Sequence, residues 1–65
     1  MVTLSVEVDG QEHSTEVPDD IYQDFLGAAQ MRERPIKWFL WRVVTEYGEL
    51  TERSIVRFMK EKLVL

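Results

Sequence analysis

The first seventeen residues constrain this chain more than any other stretch. Val2, Leu4, Val6 and Val8 alternate with Thr3, Ser5 and Glu7, the period of a strand with one buried face. Asp9-Gly10 follows, a pair that tolerates positive φ and favours a tight hairpin. The returning segment, Gln11 to Val17, puts His13, Thr15 and Val17 on the same face as Leu4 and Val6. A two-residue loop sets Glu7 opposite Glu12, a repulsive pair, whereas a four-residue loop keeps the same faces and avoids it. Pro18 ends the ladder because it has no N–H to give. A hairpin with one apolar face leaves the rest of the chain to cover it.

That remainder reads as helical. Asp19 and Asp20 suit the positive end of a helix dipole. Ile21, Phe25 and Ala29, with Tyr22 and Leu26 beside them, repeat at helical spacing to about Arg32. Gly27-Ala28-Ala29 leaves a shallow patch for close approach. Pro35 blocks continuation and fits the first turn of a second helix. Within residues 36–47, Ile36, Phe39, Leu40, Val43, Val44 and Tyr47 form a helical face. The same segment is rich in β-branched and aromatic residues, so a third strand over 36–44 is the alternative. Gly48 is a C-terminal stop. Thr51 caps a third helix with Glu52 in its first turn; Ile55, Val56, Met59 and Leu63 face inward, Phe58 lies at the edge, and Lys60 and Lys62 favour the C-terminal end.

The expected fold is therefore α+β, one domain over residues 1–65, with a hairpin at 1–17 and a helical part at 18–65. Its order is ββααα, with ββαβα as the alternative. Val2, Leu4, Val6, Phe25, Leu40, Val43, Ile55 and Met59 are the expected core. Sixty-five residues without a cysteine have no disulfide or thiolate-zinc staple. A domain of this size has little stability to spare, and oligomerising or holding a partner is a common remedy. A homodimer is thus one expected state. No signal segment or apolar stretch of spanning length is visible, which leads to a cytoplasmic expectation.

Charge is divided along the chain. Residues 1–30 carry seven acids and no Lys or Arg, giving −7. All eight basic residues lie between Arg32 and Lys62 against five acids, giving +3 for that half. Such asymmetry marks an interaction surface or simply a solvated acidic hairpin.

Catalysis is not expected. His13 is the only histidine, Ser5, Ser14 and Ser54 have no paired base, and the three glycines are too scattered for a phosphate loop. His13 reads as a residue at the edge of the hairpin core. Glu46, Glu49 and Glu52 match no metal-binding loop. Neither cofactor nor metal is expected.

Binding is the better prospect. With residues 36–47 helical, Trp38 and Trp41 fall opposite Ile36, Leu40, Val43 and Tyr47, beside Lys37, Arg42 and Thr45. Such a helix is either enclosed on both sides or keeps one for a partner. Trp and Arg are the types most enriched at the energetic centres of interfaces. Trp38, Trp41, Arg42 and Lys37 are therefore the candidate partner-binding residues, for another protein or a second copy. The alternative is nucleic acid, through a stripe of Arg53, Arg57 and Lys60 on the last helix. Adsorption of the Trp and Lys/Arg face to a membrane surface is a third possibility.

Two resemblances bear on that alternative. Residues 43–60, VVTEYGELTERSIVRFMK, resemble the first two helices of winged helix-turn-helix proteins through Gly48, Leu50-Thr51 and Ile55. The likeness covers 18 residues and implies a recognition helix following them. The strand before Val17-Pro18-Asp19-Asp20, followed by helices, resembles ribbon-helix-helix repressors, implying a strand that reads the major groove. Gln11 to Val17 offers Glu12 and Glu16 there and no basic residue, so phosphates would repel it.

Overall fold

Turn chemistry, not charge, sets the register of the hairpin. In this computed structural model, which describes residues 1–63, strand β1 (Val2–Val8) pairs antiparallel with β2 (Gln11–Val17). Val8 faces Gln11 across a two-residue loop, and Glu7 stands opposite Glu12. Asp9 and Gly10 have φ of 52° and 79°, the two left-handed residues of the turn whose twist matches the strands. Both glutamates are exposed, so water screens their repulsion and the turn geometry prevails.

Helices α1 (Asp19–Met31), α2 (Ile36–Tyr47) and α3 (Glu52–Phe58) follow, giving the order ββααα. α2 is a helix throughout, and the third strand over 36–44 does not form. Helical phasing buries Phe39, Leu40, Val43 and Val44 together, whereas a strand would send adjacent members of that set to opposite faces. Residues 64 and 65, the last two of the expected helical part, lie outside the described residues.

The helix ends are built locally. The amide of Arg34 donates to the Ala29 carbonyl at 3.2 Å, and that of Glu33 to Gln30 at 3.0 Å, closing α1 with a Schellman arrangement. Glu33 takes the left-handed position, at φ 56°, that glycine usually fills. Pro35 precedes the first turn of α2 as its N-cap. Gly48, at φ 79°, closes α2 with its N–H donating to Val44 O at 2.7 Å. Thr51 caps α3, but its reciprocal partner is Ser54. The Ser54 amide donates to Thr51 Oγ1 at 3.0 Å, and Ser54 Oγ accepts from the Thr51 amide at 2.9 Å.

The core lies between the hairpin and the helices. Leu4, Val6, Val8 and Val17 supply the sheet side, with Phe25, Leu40, Val43 and Ile55 among the helical residues over them. Of the expected core, only Val2 is partly exposed. Phe25, Phe39 and Phe58, one from each helix, meet edge to face at centroid separations of 6.3 and 6.4 Å, and Tyr47 adds a further contact to Phe58 at 6.5 Å. Phe58 is therefore central, with no exposed surface, and not an edge residue.

A π-helical turn, Met59–Leu63, replaces the expected continuous α-helix. Hydrogen bonding from i to i+5 takes more residues per turn than an α-helix. Met59 and Leu63 are buried in this turn and Lys62 is exposed, so the inward residues expected of the α-helix are kept. Among the described residues no helix is long and apolar enough to cross a membrane.

Candidate functional site

The outward side of α2 carries both tryptophans. Trp41 is 45% exposed and, among the described residues, is the only aromatic of the large hydrophobic side chains left open. Thr45 and Lys37 are exposed on the same arc, and Trp38 is half-buried against the core. Trp38 therefore does two jobs. It packs edge to face with Phe39 at a centroid separation of 4.9 Å, and part of the indole stays exposed. The Arg34 guanidinium lies 4.4 Å from the indole centroid and that of Arg42 5.4 Å.

Lys37 belongs to the opposite flank of this face. Ser5 is in a non-hydrogen-bonded pair of the hairpin, so its carbonyl points away from β2 and along the free edge of β1. Lys37 Nζ donates to that carbonyl at 3.4 Å. A lysine laid on an exposed strand edge discourages further strand pairing.

On the Arg42 flank the side chains enclose a cleft of about 270 Å³. Its walls are Arg32, Arg34, Arg42 and Lys62, and its apolar floor includes Trp38, Phe39 and Phe58. Arg32 is committed to structure: its guanidinium donates to Ala28 O at 3.1 Å and to Leu63 O at 2.8 Å, tying the end of α1 to the π turn. Glu46 lies 3.3 Å from Arg42 and 3.6 Å from Lys62. Arg34 has no carboxylate within ion-pair distance among the described residues. The sequence reading missed Arg32, Arg34 and Lys62. Arg34 and Arg42, each four residues from Trp38, were a usable signal; Lys62 depends on the π turn.

Arg53, Arg57 and Lys60 also come together, lining a shallow concavity of about 660 Å³ on the outer side of α3. Glu52 and Glu61 line it too, so the expected basic stripe is largely neutralised. Arg57 Nε donates to Glu61 Oε2 at 2.9 Å, and the Tyr47 hydroxyl donates to Glu61 Oε1 at 2.8 Å. The Arg57 bond, then the Tyr47 bond, hold the Glu61 carboxyl below its ordinary 4.5. Desolvation, followed by the bond to Glu61, raises the Tyr47 hydroxyl above 10.0.

A depressed carboxyl contributes stability that is present above its unfolded pKa and is lost as pH falls through the lower folded value. Glu61→Gln should therefore lower the melting temperature at neutral pH, with the difference from wild type shrinking well below pH 4.5. Thermal melts of both chains across that range test this, and an undiminished difference in acid would assign the effect to packing.

The remaining sequence candidates have structural roles. His13 is half-buried opposite Val6. Ser54 is buried, and its hydroxyl is occupied within the α3 cap and by Glu49 O at 3.1 Å. Glu46 pairs with Arg42 and Lys62, and Glu49 accepts from Thr51 Oγ1 at 3.3 Å. Among the described residues no group of three or more His, Asp or Glu side chains is placed to hold a metal ion. Comparison with protein-family models, with curated proteins and with solved structures found no match to this chain.

Proposed function

We propose that this chain is a non-enzymatic protein-interaction module whose contact surface is the outward face of α2, with Trp38 and Trp41 as anchors and Lys37 and Arg42 at its flanks. The observation that carries this reading is Trp41, 45% exposed beside an indole already held by two guanidinium groups. Large aromatics with little rotamer freedom to lose give binding energy at low entropic cost, and Trp38 is largely ordered before any partner arrives. The partner is another protein or a second copy of this chain, in a cytoplasmic setting that suits its lack of cysteine.

Nucleic acid is the weaker reading, because Glu52 and Glu61 share the concavity of Arg53, Arg57 and Lys60. The acidic hairpin would also repel a polyanion.

Sedimentation of the full chain over a wide concentration range, with affinity capture from lysate, tests the proposal. Trp41→Ser should keep the helical circular dichroism of wild type and lose the associated species. A wild type that stays monomeric and captures nothing that Trp41→Ser fails to capture would overturn it.

A further inference from the structure

We propose that the cleft between the end of α1, α2 and the π turn binds a glutamate or aspartate side chain from an acidic peptide segment. This deepens the reading of α2 as a protein-contact face, on which it rests, by naming the chemistry of what is contacted. Three features converge. The cleft has cationic walls, Arg32, Arg34, Arg42 and Lys62, with Glu46 the one carboxylate within ion-pair reach of them among the described residues. Arg34 lies 4.4 Å over Trp38 with no carboxylate of its own, so its planar fork of N–H donors is held in place and unspent. The volume, about 270 Å³, is enough for one carboxylate side chain.

The peptide's carboxylate would accept from Arg34, with the Lys62 ammonium as a second cation. Its methylene stem would lie on the Trp38 indole. Stacking leaves a guanidinium edge free, so Arg34 can hold the indole and a carboxylate at once. An acidic peptide is preferred to a polyphosphate because the cleft floor, Trp38, Phe39 and Phe58, is apolar and offers contact to a side chain's methylene stem that a phosphate lacks. A long polyanion would also be disfavoured by the chain's net charge of −4.

The test is a titration of the full isotope-labelled chain followed by NMR, reading the Trp38 indole N–H and the Arg34 Nε–H. The probe is a short blocked peptide of consecutive glutamates flanking one leucine. Its glutamine counterpart and inorganic phosphate form the other arms. The glutamate peptide should shift both resonances, and the glutamine peptide should not. Arg34→Gln should weaken binding about tenfold, as loss of a charge-assisted hydrogen bond does. Arg34→Lys should recover only part of that, and Arg53→Gln, on the far side of α3, should change nothing. Equal binding of both peptides, or no effect of Arg34→Gln, overturns the proposal. Tighter binding of inorganic phosphate at the same resonances overturns it in favour of a phosphate site. Failure of the glutamate peptide, with partner capture still lost in Trp41→Ser, would remove the acidic-peptide assignment alone and leave the α2 face standing.

Discussion

Phe58→Ala should leave the chain largely unfolded at room temperature. Phe58 is fully buried and meets Phe39 and Tyr47 edge to face, so it joins α3 to both ends of α2. Truncating a buried phenylalanine costs about 3–5 kcal/mol in lost transfer energy and residual cavity. A domain of this size rarely holds more than about 3–5 kcal/mol in total. The two figures meet, so the folded state should lose its majority. Phe58→Leu keeps most of the volume and should melt cooperatively at a reduced temperature. Far-UV circular dichroism with thermal scans decides the matter. A cooperative Phe58→Ala transition only a few degrees below wild type would mean that α3 contributes little to the core.

The same residue marks where the sequence stops being legible. Extending an α-helix from Thr51 to Leu63 puts Phe58 at the margin of an apolar face centred on Ile55 and Met59. Phe58 precedes the π turn and is nevertheless fully buried, because Phe39 and Tyr47 of α2 close over it. Nothing local distinguishes the two helix types in MKEKL; the choice is made by what Leu63 and Lys62 meet across the molecule. The hairpin was legible because alternation and an Asp-Gly turn are local signals, and even there the register rested on weighing a turn against a screened glutamate pair.

The candidate surface divides along the same line. Trp38, Trp41, Lys37 and Arg42 share a helical arc that periodicity alone specifies, and α2 places them on it. Their different surroundings could not be read this way. Lys37 reaches the Ser5 carbonyl because the hairpin register turns that carbonyl outward. Arg34 reaches Trp38 because Glu33 adopts a left-handed φ in a position where glycine would have announced the turn. The basic cleft is tertiary in origin: it needs the Schellman turn, the Arg32 tie to Leu63 and the π turn together.

The two tryptophans should therefore respond differently to substitution. Trp41 is 45% exposed and lies outside the core cluster, so replacing it with serine should cost less than truncating Trp38, and the melting temperature should move by only a few degrees. Trp38 packs on Phe39 and carries Arg34 and Arg42 on its ring, so Trp38→Ala loses core contact as well as two cation–π pairs. Being only partly exposed, it should cost somewhat less than the roughly 3–5 kcal/mol typical of a fully buried aromatic, at least about 2 kcal/mol. For a domain this small, about 2 kcal/mol corresponds to a fall of roughly 8–16 °C in the melting temperature. Both variants should lose association, but only Trp38→Ala should lose it together with stability. Melting curves and sedimentation on each single variant separate these effects. Equal destabilisation by the two would place Trp41 in the fold and not on a contact surface, and would remove the main support for the α2 face as a binding site.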